Sequence, residues 1–166
     1  MKNQLFIFVL ITVCLFGCFS TDSGNNQDAR TANRVGDSAQ DFSNIVDKDW
    51  RLIEVYINDV NIQFSRDNQL ESNRDIYTIN FKDGTVSGTG APNRYSAPYT
   101  LGDNQSISIM MMRSTLMASL FEPNNLTEYE YYSHVQKSYR WELNNENLVL
   151  HSKTENGLDV RLMFAK

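Results

Sequence analysis

The chain of 166 residues has room for about one domain. Apolar residues make up 41% of it and charged residues 21%, proportions that are typical of a globular protein. The formal net charge is −5 and the Lys and Arg residues are dispersed, so the clustered basic charge of nucleic-acid-binding proteins is absent. We therefore expect a single globular domain that has no nucleic acid as a partner.

Residues 1–17, MKNQLFIFVLITVCLFG, predict a lipoprotein signal peptide. Lys2 precedes an apolar run at 5–16, which is shorter than the roughly 20 residues of a membrane-spanning helix. The sequence LFGC at 15–18 resembles a bacterial lipobox, in which a lipid-modified cysteine becomes the first mature residue. We expect Cys18 to carry the lipid and to anchor the protein in the bacterial cell envelope. The alternative is an ordinary secretory signal peptide, in which the cysteine has no such role.

The two cysteines of the chain are Cys14 and Cys18. Cys14 would leave with the signal peptide, and the lipid would occupy Cys18. The exported domain would then have no disulfide, no thiol nucleophile and no cysteine-based zinc site.

Residues 18–46 are predicted to be the lipidated cysteine and a flexible tether, because Ser, Asn, Asp, Gln, Gly and Thr dominate this segment. About 25 such residues reach roughly 25–30 Å. The alternative is a partly ordered arm, with Phe42, Ile45 and Val46 packed on the domain. The folded domain is expected to span residues 47–166.

The first half of this domain reads as β-strands. DWRLIEVYIND at 49–59 is rich in β-branched and aromatic residues, and VNIQF at 60–64 can continue it after a turn. DIYTINF at 75–81 alternates apolar and polar residues and is followed by KDGT at 82–85, in which Asp-Gly predicts a hairpin turn. VSGTG at 86–90 is the returning strand.

Two further strands are expected in YTLGDNQSISIMMM at 99–112, around a Gly-Asp-Asn turn. A helical segment follows: Ser114 can cap a helix over TLMASLF, Pro123 interrupts it, and Asn125 or Thr127 can begin a second helix over EYEYYSHVQ. The C-terminus then predicts a three-strand meander with one buried face: SYRWELN, NLVLHSK and LDVRLMFA.

The run SGTGAPNRYSAPY at 87–99 could suggest a phosphate-binding loop. A dinucleotide fingerprint beginning at Gly88 requires a third glycine where Asn93 stands, and no Gly-Lys-Ser/Thr sequence is present. We favour a structural interpretation: Gly88 and Gly90 let a strand bend, and Pro92 and Pro98 stiffen the loop beyond it.

Catalytic and metal-ligating patterns are not found. His134 and His151 lack a partner at metal-site spacing and are expected to be surface or sheet residues. The G-x-S-x-G nucleophile elbow is absent. Glu128 and Glu130 are expected on a solvated helix face, although glycosidase-like pairing of acids in space stays open. We predict no enzymatic activity, no metal and no cofactor.

Two other runs admit a binding role or a structural one. Residues 110–112, MMM, could form an adaptable binding surface, but we favour core filling at a strand-to-helix junction. Four tyrosines near the second predicted helix could stack on a sugar or a partner, but more often such rings cover one face of a sheet: Tyr129, Tyr131, Tyr132 and Tyr139.

Five features in this order resemble the META domain, the HslJ-like group. They are Trp50, FKDGTVSGTG at 81–90, NRY at 93–95, STLMAS at 114–119 and LVL at 148–150. The resemblance implies an α+β, mostly β fold, with a curved antiparallel sheet or open β-barrel packed with one or two short helices. It also implies a structural role for a set of motif residues: Trp50, Gly84, Gly88, Gly90, Asn93, Arg94, Tyr95, Thr115 and Leu116. A surface role for Arg94 stays open.

Members of this family often have a cysteine at each of two places, which here hold Pro92 and Ser119. The resemblance implies exported or membrane-anchored proteins linked to envelope stress, drug tolerance or virulence, with no shared catalytic mechanism. We expect a non-enzymatic envelope lipoprotein, with the membrane as partner through its lipid and an envelope protein or lipid as a further partner. The alternatives are a pilotin-like carrier or chaperone for an apolar ligand, and a small hydrolase.

Overall fold

A computed structural model describes residues 42–64, 76–118 and 123–166. The predicted signal peptide, Cys18, most of the predicted tether and Ser119 lie outside these residues. Within them, no helix is long and apolar enough to cross a bilayer.

The described part of the chain forms ten strands and a short helix, α1 (Glu128–Gln136). The strands are, in order, β1 (Trp50–Ile57), β2 (Val60–Asn61), β3 (Thr78–Lys82), β4 (Thr85–Thr89), β5 (Arg94–Leu101), β6 (Ile107–Ile109), β7 (Arg113–Ser114), β8 (Arg140–Asn144), β9 (Asn147–Lys153) and β10 (Asp159–Ala165).

All strand pairs are antiparallel and belong to one sheet, in the order β6-β5-β4-β3-β1-β10-β9-β8. β2 pairs with β1, and β7 pairs with β5. The two ends of the sheet meet at a bridge between Ser106 and Arg140, and Trp141 N donates to Gln105 O at 2.9 Å. The sheet is therefore a nearly closed barrel, and the predicted curved, mostly β fold is confirmed.

Alternation along the strands fills the interior with side chains. In β10, Val160, Leu162 and Phe164 are buried, while Asp159 is exposed, as the sequence pattern predicts. Two aromatic residues of other strands, Trp50 and Trp141, are also fully buried. The hairpin turn between β3 and β4 is formed as predicted, since Asp83 and Gly84 have φ of 48° and 72°.

The core extends to residues that the sequence analysis assigned to the tether. Phe42 and Ile45 are buried, and the Phe42 ring packs against Trp141 at 4.9 Å and Phe81 at 5.3 Å between centroids. Trp50 Nε1 donates to Ile45 O at 3.0 Å. These residues therefore form an ordered arm packed on the domain, which was the alternative to a flexible tether.

The first predicted helix is not formed over the described residues 115–118, and the preceding pair is strand β7. The second predicted helix is α1, which begins after Thr127 with a capping box: Glu130 N donates to Thr127 Oγ1, and Glu130 Oε2 accepts from Thr127 N. Pro98 also differs from expectation, because it lies within β5 and not in a loop.

Candidate functional site

Asn93 lies immediately before β5 and is 6% exposed. Its backbone N donates to Glu128 Oε1 at 2.7 Å, and its side-chain Nδ2 donates to Glu128 Oε2 at 2.8 Å. The two carboxylate oxygens thus bind the backbone and the side chain of the same residue. This pair ties the entrance of β5 to the beginning of α1.

The Glu128 carboxylate has further donors. Ala91 N donates to its Oε1 at 2.6 Å, and Tyr132 Oη lies 3.1 Å from the same oxygen. Glu128 is the first residue of α1, where the positive end of the helix dipole favours a negative charge. The expectation that Glu128 faces solvent is wrong, because backbone amides of the 91–93 turn occupy its carboxylate. The carboxylate therefore ties the 91–93 turn to α1.

Gly90 and Gly88 have no space for a side chain. A Cβ at Gly90 would collide with Tyr132 Oη and Glu128 Oε1, and one at Gly88 would collide with the carbonyl of Thr78. Gly88 is therefore required by the close approach of the Thr78 backbone, whereas a side chain at Gly90 would displace the side chains of Tyr132 and Glu128. The predicted structural role of these glycines has a physical cause, although it is not a strand bend alone.

The Asn93 side chain also binds the segment at 110–118, which we call the strap. Asn93 Oδ1 accepts from Met117 N at 2.6 Å and from Thr115 Oγ1 at 2.9 Å, and Asn93 Nδ2 donates to Met117 O at 3.1 Å. The amide thus binds Met117 as a neighbouring strand would. Thr115 N also donates to Arg94 O at 3.0 Å, and Arg94 N donates to Thr115 Oγ1 at 3.1 Å.

The strap directs large apolar side chains into solvent. Leu116 is 97% exposed, Met111 is 81% exposed, and Met117 and Met110 are 53% and 50% exposed. The favoured prediction of core filling is therefore wrong for Met110 and Met111. Ile109 in β6 is buried, Met112 is half-buried against the core, and the chain then pairs with β5 through β7.

Between α1 and the sheet lies a cluster of tyrosines. The hydroxyls of Tyr95 and Tyr131 each donate to Thr78 O at 2.9 Å and lie 3.1 Å from one another. Burial raises the pKa of both hydroxyls, so they stay protonated and act as donors. Burial, followed by the nearby Glu128 carboxylate, also raises the pKa of Tyr132. Tyr129, by contrast, is exposed.

The two histidines of the chain lie in α1 and in β9. His134 is buried in α1, contrary to the expected surface position, and its Nδ1 has no hydrogen-bond partner in the described part of the chain. Burial lowers its pKa. His151 in β9 has its Nε2 3.4 Å from Glu142 Oε1. Among the described residues, no group of three His, Cys, Asp or Glu side chains is arranged to hold a metal ion.

Of the motif residues, Asn93 and Gly90 lie against the Glu128 carboxylate, whose role the sequence analysis missed. Thr115 binds Asn93 from the strap, which also carries Leu116. Gly88 and Tyr95 contact Thr78, and Arg94 is exposed. Two motif residues lie elsewhere: Gly84 is in the β3–β4 turn and Trp50 is in the core. A glutamate at the first position of a capped helix was the available signal.

The fold resembles solved structures at low sequence identity. An NMR structure of a protein from Burkholderia xenovorans matches with a TM-score of 0.53 and 16% identity, over 88% of this chain and 99% of that one. The crystal structure of a DUF4847 family protein from Bacteroides vulgatus ATCC 8482 matches with a TM-score of 0.50 and 13% identity, over 75% of this chain and 95% of that one. These likenesses show the fold alone.

A search of curated proteins found no significant match. The family model of the META domain matches residues 43–163, which is more than half of the chain and includes the glycines, Asn93 and the strap. The chain belongs to the META domain family.

Proposed function

We propose that this protein is a bacterial envelope lipoprotein, anchored by acyl chains on Cys18, whose META domain works through contact and not through catalysis. The lipobox-like sequence at residues 15–18 supports the anchor. META domains are not a known enzymatic family, which supports a non-catalytic role. The role in envelope stress or drug tolerance rests on the family resemblance.

The observation that carries the contact role is the strap. Its backbone is fixed by Asn93, Arg94 and β5, while Leu116 and Met111 extend into solvent. Exposed large apolar side chains that lie close together are typical of interaction surfaces. The hydrogen bonds of Glu128 keep Asn93 in place, and Asn93 holds the strap. The motif residues of this region therefore support one exposed surface.

The anchor is tested by labelled palmitate and membrane fractionation. Wild type and Cys14→Ser should incorporate the label and fractionate with membranes, because Cys14 would leave with the signal peptide. Cys18→Ser should lose the label and the membrane attachment. Incorporation of label by Cys18→Ser would show that this cysteine is not the lipidation site.

The contact role is tested by complementation under envelope stress, with a detergent or an antibiotic as the stressor. A strain that lacks the protein should be rescued by the wild type and by Leu158→Ser, which changes an exposed leucine outside the strap. Leu116→Ser should accumulate to the same level and should fail to rescue. Equal rescue by both variants would contradict a role for the strap.

A second candidate is a carrier or chaperone that holds a lipid tail or an apolar segment. A groove of about 300 Å³ beside α1, lined by Met112, Tyr129, Tyr132 and Gln136, favours this candidate over one in which the ligand enters the barrel. The barrel interior is filled by its own side chains. Native mass spectrometry of the protein purified without detergent should show a bound lipid if this candidate is correct.

A further inference from the structure

The outer face of β5 and β7 carries two arginines close together. Ser96 of β5 pairs with Arg113 of β7. Two residues earlier in β5, Arg94 O accepts a hydrogen bond from Thr115 N. Because side chains alternate along a strand, Arg94 and Ser96 lie on the same face of β5, and both are exposed. Arg94 and Arg113 are therefore diagonal neighbours across the strand pair.

These arginines are not neutralised within the described residues. Five other cations of the domain lie in ion pairs with a carboxylate: Lys82, Lys137, Arg140, Lys153 and Arg161. Arg94 and Arg113 are in none of the described ion pairs. Two neighbouring cations without a carboxylate between them attract an anion, and the planar guanidinium group suits the oxygens of a phosphate.

The exposed apolar residues of the strap lie beside these arginines. Met110 and Met111 line an open groove of about 400 Å³ with Pro98 and Arg113. Leu116 directly follows Thr115, whose N donates to Arg94 O. Positive charge and protruding apolar side chains thus occur on one part of the barrel surface.

We infer that this face, comprising Arg94, Arg113, Met111 and Leu116, docks on the surface of an anionic phospholipid bilayer. The arginines would bind lipid phosphates, and the methionine and leucine side chains would enter the boundary between headgroups and acyl chains. A bilayer accommodates side chains that protrude singly, such as the almost fully exposed Leu116. A folded protein partner would need a cavity shaped to receive each of them.

The length of chain before the domain fits this occupant. Residues 19–41 separate Cys18 from Phe42, and the flexible tether predicted for these 23 residues would reach roughly 25–30 Å. A domain tethered at that distance can turn its cationic face to the membrane that holds its lipid. This geometric argument rests on the proposed anchor, whereas the affinity of the face for lipid does not.

The affinity is measured with the purified chain 18–166 carrying Cys18→Ser, which includes every described strand and helix. Its sedimentation with vesicles of phosphatidylcholine alone is compared with sedimentation with mixed phosphatidylcholine and phosphatidylglycerol vesicles. We expect binding to the mixed vesicles that added salt weakens. Absence of binding to the mixed vesicles would overturn the inference. It would do so even if Leu116 were found to crosslink to a protein in cells.

Paired variants assign the binding to this face. Arg94→Gln with Arg113→Gln should weaken binding to the mixed vesicles by about fivefold for each arginine. Arg140→Gln with Arg161→Gln removes the same charge elsewhere and should have a much smaller effect. Equal losses in the two pairs would indicate attraction by overall charge and would contradict a specific face.

The apolar contribution is assigned in the same way. Met111→Ser with Leu116→Ser should weaken binding, while Val60→Ser with Leu158→Ser, which changes exposed residues outside the strap, should not. A dye attached at Leu116→Cys should shift its emission on mixed vesicles, and one at Leu158→Cys should not. These assays use unlipidated protein, so they can succeed or fail independently of palmitate incorporation at Cys18.

Discussion

The carboxylate of Glu128 binds Asn93 through both of its oxygens, at 2.7 Å from the backbone N and 2.8 Å from Nδ2. These residues are 35 positions apart in the chain and join the first turn of α1 to the entrance of β5. The same asparagine holds the strap, so the stability of the domain and the presentation of Leu116 depend on one pair of side chains.

Glu128→Gln should lower the free energy of unfolding by about 2 kcal/mol, because charge-assisted hydrogen bonds are lost and an NH₂ group is placed among donors. Urea denaturation measures the change. The matched control is Glu155→Gln, which removes an exposed carboxylate that is 3.5 Å from Lys137 and should cost less than about 0.5 kcal/mol. Similar values for the two variants would contradict the anchoring role of Glu128.

Asn93→Ala should release the strap, since Met117 loses both of its hydrogen bonds to the Asn93 side chain. Limited trypsin digestion of the folded protein should then cleave after Arg113 about tenfold faster. Asn80→Ala is the control, because Asn80 donates from its side chain to Lys48 O and does not contact the strap. An unchanged cleavage rate in Asn93→Ala would show that other contacts hold the segment.

Gly88→Ala should lower the free energy of unfolding by about 1–3 kcal/mol, because its Cβ would meet the backbone carbonyl of Thr78, which cannot move freely. Gly102→Ala offers a matched comparison, since the nearest obstacle there is the rotatable hydroxyl of Ser106. The control should be close to neutral. Thermal and urea unfolding would compare the two, and equal costs would refute the steric argument.

His134 should make the domain less stable on acidification. Burial lowers its pKa in the fold, with Glu130 and Lys137 as opposing charged neighbours. Above the unfolded pKa of about 6.5 the imidazole is neutral in both states; below it, the unfolded chain takes up a proton that the fold resists. The contribution of His134 to the free energy of unfolding is therefore fully present above about pH 6.5. It is lost as the pH falls toward the folded pKa, by at most about 1.4 kcal/mol per pH unit.

Urea unfolding of the wild type and of His134→Leu at about pH 7.5 and about pH 5.5 would measure this contribution. The free energy of unfolding of the wild type minus that of the variant should be smaller at the lower pH. A value of this difference that stays constant or increases on acidification would contradict the sign of the pKa shift.

Local patterns predicted the strands well, because burial of one face leaves a period of two in the sequence. β10 alternates from Val160 to Phe164, and the Asp83-Gly84 turn has the residues that its positive φ values require. The capping box at Thr127 likewise identifies the beginning of α1.

The strap could not be predicted from local patterns. The sequence at 115–121 favours a helix, but in the described part Thr115 and Met117 bind Asn93, a residue more than 20 positions earlier. Long-range hydrogen bonds thus override intrinsic propensity. The exposure of Met111 follows from this path of the chain, as does the role of Glu128, whose partners lie 35 and 37 positions away.

The pairing of β1 with β10 places the first long strand of the domain beside its last one. During synthesis β10 is made after the other described strands, so one edge of β1 lacks its native neighbour until β10 is available. Such non-local closure slows folding and leaves a strand edge open to wrong partners in the meantime. The barrel therefore cannot close before the seven residues of β10 have been made.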